Sequence, residues 1–488
     1  MDRREAEPKR RRVAAPVNEH NYSAKQAGRA LARGLILAVT LHAFEQIAVV
    51  AILEDVVLAL DGRDFSGVIF GVYLLASILA TVFAGEHIDR RGPAVSFGAG
   101  LALFAAGLIF AGTAQSIEIF IAARALQGAG GGLLLTVAYA TVNVAYNENE
   151  RPGVLAALSM AWVLPGLLGP PIAAALAEYT IWKWRSVFVL LAPLVPVVAV
   201  LALPAMRAIP PTANSATAGP GFGSSRMSLA ALLCAGVALL QVGGVQARSI
   251  LFALFTISGA VLTLTAMSRL MPSGTLRLRP VLPAAIALKI LAFFAFFGTD
   301  SFIPFALQEV RDVSLLYAAL TIAPASLSWS AAAAIVARFQ PARTDYARTV
   351  RWGCVLLAAG IALAVPVLQS GVPTALTFLA WTCAGFGIGL AYISLNAVVM
   401  NQPKEAEGVG AGRTAVALNI ADSLGFALGS TVTGSILFHG ARAGASAADQ
   451  FTFAWLLNFG VALFSAFAAS RLIARHQKRG QRDDSVPA

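Results

Sequence analysis

Fourteen long apolar runs restrict this chain more tightly than any other feature. Each is close to 20 residues or longer, the length a helix needs to cross a bilayer. They fall near 34–53, 66–86, 94–113, 118–142, 154–177, 186–204, 228–245, 249–268, 281–306, 315–337, 350–369, 374–400, 410–438 and 451–473. Apolar residues within them are continuous rather than alternating, so helices are expected and a barrel is not. The composition agrees. Hydrophobic residues make up 58% and charged residues 12%, against about 25% charged in an average soluble chain. An ordinary soluble enzyme and a disordered protein are both excluded. An all-α polytopic membrane protein is expected.

The basic residues give the orientation. Of 36 Lys and Arg, 28 fall on the side that holds both termini, six on the other side, and Arg124 and Lys289 within runs. By the positive-inside rule, both termini are cytoplasmic. The net charge of +11 sits in short clusters between runs, which points to a membrane and not to nucleic acid. Lys9, Arg10, Arg11 and Arg12 read as an orientation determinant or an anionic-lipid contact. The alternative is a nuclear signal or a nucleic-acid arm. The polar stretch before the first run is unlike a secretory signal. The expected organisation is a cytoplasmic tail (1–33), six runs (34–204), a linker (205–227), two inserted runs (228–268), a second linker (269–280), six runs (281–473) and a cytoplasmic tail (474–488). Arg outnumbers Lys 30 to 6, which suggests a GC-rich bacterial genome and so a bacterial plasma membrane. A monomer is expected.

Several chemistries lack their residues. Cys234, Cys354 and Cys383 are far apart and lie in apolar stretches, with no metal or redox spacing. His20, His42, His87, His439 and His476 form no ligand pair at helical spacing. No phosphate loop of the Gly-x-x-x-x-Gly-Lys-Ser/Thr type occurs. The expectation is therefore no cofactor, no metal, no enzymatic activity and no ATP hydrolysis by that route, with transport driven by an ion gradient. No soluble domain is left over, which weighs against a sensor or scaffold.

Ionisable residues deep within spans are costly and mark function by default. Glu45, Asp300 and Asp422 qualify, as does Arg124. Lys289 lies nearer its cytoplasmic end, where it can snorkel, and weighs less. At 1.5 Å per residue, Glu45 and Asp422 lie roughly 17 and 18 Å from that side, and Arg124 roughly 20 Å. All three fall in one layer near the midplane, where transporter sites tend to lie. Arg124, Gln127, Gly128 and Gly131 share one helix face. His42 and Glu45 are spaced to share a hydrogen bond or a proton. Asn419, Asp422, Gly425 and Gly429 share a broad face. The competing reading is that Glu45, Arg124 and Asp422 only pair to hold helices together. Low dielectric favours the neutral form of a carboxylic acid, so a proton and a substrate competing for one site would give antiport. Phe44, Trp162, Phe294, Phe297, Trp329, Trp381 and Tyr392 are candidates to line a substrate cavity, with His42, Gln127, Asn396 and Asn419 as its polar members. Each aromatic has the alternative of packing or facing lipid.

Several segments resemble the major facilitator superfamily, and within it the fourteen-span drug:proton antiporter branch. Arg124-Ala-Leu-Gln127-Gly128, followed by small residues, is similar to the span-4 pattern in which Arg is linked to proton coupling. Gly85-Glu-His-Ile-Asp89-Arg90-Arg-Gly92 resembles the gating loop Gly-x-Leu-Ala-Asp-Arg-x-Gly-Arg-Lys. His87 stands at the Leu position, and Pro93 and Ala94 at the final basic ones. Pro165-Gly166-Leu-Leu-Gly169-Pro170-Pro171 resembles the antiporter signature Gly-x-x-x-Gly-Pro, with Ala173 and Ala174 in place of its closing glycines. Trp184-Arg185-Ser-Val-Phe188 resembles the entry to span 6. Glu45 stands where the family carries a functional Asp. The resemblance implies two six-helix bundles with two inserted helices, fourteen spans in all. It also implies a proton-coupled exporter of lipophilic or cationic drug-like compounds working by alternating access, with Glu45 and Arg124 at the family's coupling positions. Asp422, where many relatives carry Arg, and Asp300 are coupling candidates from their depth in the spans alone. The other open reading is a dedicated carrier of one physiological solute, such as a lipid, a siderophore or a metabolite.

Overall fold

A computed structural model describes residues 19–146, 150–209, 222–339, 346–400 and 411–473. Among these, every regular element is helical. The N-terminal group comprises α1 (Glu19–Ala59), α2 (Ser66–Arg91), α3 (Pro93–Gly112), α4 (Ile117–Ala145), α5 (Arg151–Met160), α6 (Val163–Tyr179), α7 (Arg185–Leu191) and α8 (Leu194–Arg207). The inserted pair is α9 (Phe222–Gly244) and α10 (Ser249–Leu270). The C-terminal group comprises α11 (Leu282–Asp300), α12 (Ile303–Arg311), α13 (Leu315–Phe339), α14 (Tyr346–Ala364), α15 (Leu376–Met400), α16 (Ala411–Arg442) and α17 (Ala447–Ala468).

Thirteen crossings among the described residues are long and apolar enough to span a bilayer, and Val163–Tyr179 is a shorter apolar helix. The run at 154–177 is where the count differs from fourteen, because it is split into α5 and α6. Two further crossings are interrupted, between α7 and α8 and between α11 and α12. Proline lies within the first turn of each following helix: Pro165, Pro196 and Pro304. Proline fits a helix start, where its missing N–H has no intrahelical partner, and is poorly tolerated farther in.

Each group packs on itself. α2 and α3 lie against α4, and α1 lies against α6 and α8. α14 and α13 lie against α15, and α11 lies against α16 and α17. The two bundles meet along two seams, α2 with α16 and α6 with α13. The inserted helix α9 packs on α10 and reaches both α2 and α16, so the insert covers the first seam.

The segment expected to be a gating loop is mostly helix. α2 continues through Arg91, and Gly92 alone makes the junction, with φ 78° and ψ 171°, before Pro93 opens α3. That backbone region is nearly closed to residues with a Cβ, so glycine permits a sharp corner without a loop. The side chains of Asp89 and Arg90, like Gly85, lie outside the described residues.

Candidate functional site

α1, α2 and α4 converge on a buried ionic cluster. Arg124 and Glu45 form an ion pair with side chains 1% and 0% exposed. Arg124 Nη1 also donates to Gln127 Oε1 at 2.9 Å, one turn along the same helix. The guanidinium lies 4.3 Å from the centroid of the Tyr73 ring on α2. A cation over an aromatic face is attracted by the ring quadrupole, and more so when desolvated. The Tyr73 hydroxyl meets His42 Nδ1 at 2.9 Å, and His42 packs edge-on against Trp162 with centroids 5.6 Å apart. His42 thus bonds Tyr73, where spacing had suggested Glu45. Glu45 Oε2, Arg124 Nε and Gln127 Nε2 are buried with no hydrogen-bond partner, so the cluster is tightly enclosed but not fully satisfied.

Small residues make this convergence possible. A Cβ on Gly128 would run into the Tyr73 backbone, and one on Gly131 into the His42 and Tyr73 side chains. The Arg124–Gln127–Gly128–Gly131 face is therefore the face that α4 turns toward α1 and α2.

The C-terminal bundle holds a second cluster of the same composition. Lys289 on α11 is 2% exposed and pairs with Asp422 on α16 at 3.0 Å. Lys289 Nζ donates to Asn396 Oδ1 on α15 at 2.7 Å and lies 4.6 Å from the centroid of the Tyr392 ring. Each bundle thus surrounds one cation with a carboxylate, an amide oxygen and a tyrosine ring. The two carboxylates differ in access: Asp422 is 22% exposed, whereas Glu45 is sealed. Lys289 is the residue that sequence reasoning underweighted. Snorkelling is not what it does, because its head group is held inside the bundle by three partners.

Aromatics gather beside this second pair. Phe293, Trp329 and Tyr392 pack on one another, with Phe293 and Phe297 5.2 Å apart. Phe297 stacks on Phe426 at 4.2 Å. Phe296 stacks on Trp381 at 5.6 Å. Trp381 Nε1 donates to Asp300 Oδ1 at 2.6 Å. Phe297, Trp329, Trp381 and Tyr392 therefore belong to one wall, while Phe293, Phe296, Phe426 and Tyr73 were missed. None of those four carries a charge or breaks an apolar run, so nothing in the sequence singles them out. Phe294 sits apart from the wall, and its backbone is where Gly429 packs. Asn419 is exposed on α16, one turn before Asp422.

The antiporter-like segment lies at an interface. Within α6, Pro170 and Pro171 are helix-internal. Gly169 faces Phe44 and Ile47 of α1, and a Cβ on Gly166 would meet the Ser326 side chain of α13. α6 therefore runs between the two bundles. The Trp184 segment is a packing corner. Trp184 and Phe188 lie edge-on to Phe120, and Arg185 donates to the Ala114 carbonyl at 2.8 Å.

One end of the bundle-to-bundle seam is closed, on the side expected to face outward. Arg63, after α1, makes a two-pronged pair with Glu309 of α12 at 2.9 and 3.0 Å. Gly67 of α2 lies against Ser430 and Gly434 of α16. Phe70 packs on Phe302 and Phe426.

Comparison with known proteins places this geometry. The family model described as Major Facilitator Superfamily matches residues 35–425. A probable multidrug-efflux transporter of Mycobacterium tuberculosis is 24% identical over 473 residues, covering 94% of this chain and 96% of that protein. The tetracenomycin C resistance and export protein of Streptomyces glaucescens is 26% identical over 374 residues, covering 73% of this chain and 66% of that protein. Among solved structures, a peptide transporter bound to alafosfalin matches with TM-score 0.66 at 14% identity, covering 90% of this chain and 94% of that one. That likeness shows the fold alone. With a family match over most of its length and a two-bundle transporter fold, this chain belongs to the Major Facilitator Superfamily of membrane transporters.

Proposed function

We propose that this protein is a proton-coupled secondary transporter that exports lipophilic or cationic drug-like compounds by alternating access. The observation that carries this reading is the pairing of buried ionisable clusters with an aromatic wall inside a two-bundle carrier. Intramembrane charges persist where they serve a pathway, and aromatic faces suit amphipathic or cationic organic molecules. The names of the relatives, a probable multidrug-efflux transporter and a resistance and export protein, support drug export in the same direction. Proton movement on and off a buried carboxylate would supply the driving force, with no cofactor.

The excess of basic residues on one side supports a plasma-membrane protein with both termini in the cytoplasm. In that orientation the closed end of the seam is the outer one. Alternating access would then require this outer end of the seam to part in another state.

The test is efflux of ethidium from a pump-deficient bacterial host, with and without a protonophore, alongside a panel of unrelated lipophilic compounds. Energy-dependent efflux that the protonophore abolishes, and that several of the compounds inhibit, is the expected result. Failure to move any of them would shift the reading to a dedicated carrier of one physiological solute.

A further inference from the structure

Three acidic side chains were singled out as deep in the spans, and the structure treats them differently. Glu45 is matched by Arg124, and Asp422 by Lys289. Asp300 has no such match: among the described residues no Lys, Arg or His lies within ion-pair distance of it. Among the described residues its one hydrogen-bond partner is the Trp381 indole N–H, at 2.6 Å. On its own helix the neighbours are Phe296 and Phe297, and Phe296 stacks on that same Trp381. The nearest cation along α11 is Lys289, eleven residues deeper, or about 16 Å along the axis, and it is engaged with Asp422. Of the helices packed on α11 and α12, α16 presents Asp422 toward Lys289, with His439 and Arg442 in its last turn. α17 presents Asp449, capped by Ser446. α13 presents Tyr317, bonded to Thr374. α15 presents Trp381, Cys383 and Tyr392, and α1 presents Glu54 and Asp55.

The backbone at Asp300 sharpens the contrast. α11 ends at this residue, and α12 begins at Ile303 with Pro304 in its first turn. Discontinuous helices are where transporters tend to place ion and substrate sites. Asp300 sits at the carbonyl end of α11, where the helix dipole is negative and opposes a second negative charge. Around the break, Thr433 Oγ1 donates to the Gly298 carbonyl at 2.8 Å, and Asn458 Nδ2 donates to Thr299 Oγ1 at 3.1 Å. These bonds tie α11, α16 and α17 together at the point of interruption. Asp300 itself is partly buried, not sealed, so a proton can reach it.

We infer that Asp300, rather than Glu45 or Asp422, is the carboxyl group that carries the exchangeable proton of the transport cycle. A carboxylate paired with a fixed cation is already neutralised and gains little from a proton. A carboxyl without a cation, at the negative end of a helix and beside aromatic rings, is neutralised only by a proton or a bound cation. The Trp381 N–H supports the ionised form when the proton leaves. Trp381 is then a positioning residue, and the Glu45–Arg124 and Lys289–Asp422 pairs keep their charges while Asp300 gains and loses the proton.

This assignment rests on the proton-coupled reading, but its test needs neither substrate nor gradient. Purified full-length protein in lipid is titrated with pH while infrared absorption follows the C=O stretch of protonated carboxylic acids. Wild type is expected to show a titrating component from a buried carboxyl. Asp300→Asn removes that component, and Asp300→Glu keeps it at a shifted position. Trp381→Phe leaves the component present but moves its frequency, because one hydrogen bond is gone. Glu54→Gln, as a control for another buried carboxyl that forms no ion pair among the described residues, leaves it in place. Absence of the component in wild type, its survival in Asp300→Asn, or its indifference to Trp381→Phe overturns the assignment. If the component behaves as expected while no protonophore-sensitive efflux is found, the proton site stands and the drug-export reading falls.

Discussion

Arg124 shows how one residue organises its surroundings. It is long enough to cross from α4 to α1 and planar enough to lie over Tyr73. Removing only one member of a buried pair leaves the other charge uncompensated, which costs about 3–5 kcal/mol. Glu45→Gln is therefore expected to lower the unfolding temperature in detergent as well as to reduce transport. Replacing both partners with apolar side chains of similar size is often neutral or stabilising. Glu45→Met with Arg124→Met should thus recover the melting temperature of wild type and still fail to transport. Recovery of both properties would mean that the pair is only a structural tie. The same logic holds in the other bundle. Lys289→Met strands Asp422 and should cost a similar amount, and adding Asp422→Asn should return most of it in the same melting experiment.

At the scale of the element, the sequence pattern is modulated by a few residues that stop or bend helices. Pro165, Pro196 and Pro304 follow the three interruptions, and Gly92 replaces an expected loop with a corner. The conformation at Gly92 is close to glycine-only, and forcing a side chain into it costs about 1–3 kcal/mol. Gly92→Ala should therefore lower thermal stability by that amount, read from unfolding temperatures at equal protein concentration. An unchanged melting point would show that the α2–α3 junction relaxes freely. Gly128 acts differently, because its constraint is space. Gly128→Val would collide with the Tyr73 backbone and push α4 away from α2. Loss of folded, monodisperse protein on size-exclusion chromatography is the expected outcome, and normal folding would show that the helix pair has slack.

At the scale of the whole molecule, two bundles press together at one end of the α2–α16 seam. The Arg63–Glu309 pair is substantially exposed, at 48% and 26%, so its worth is about 1 kcal/mol or less. Arg63→Ala should shift the balance between closed and open seam by no more than about five-fold, measured by spin-label distances across that end. A short thiol crosslink between Arg63→Cys and Glu309→Cys should stop transport, and cleaving it should restore transport. Continued transport with the crosslink in place would mean that the seam need not part. The sequence by itself determined the number of crossings to within one split helix, the side that holds the basic residues and the location of the costly intramembrane charges. A bilayer demands long apolar runs and penalises every exception, so both are visible in the order of residues. The tertiary structure decided what those charges meet. That Lys289 neutralises Asp422, that Tyr73 lies under Arg124 and that Asp300 meets, among the described residues, only Trp381 depend on which helix faces come together. Those choices arise from the close approach of small residues and the rotation of each helix in its bundle, and residues far apart in the chain settle them jointly.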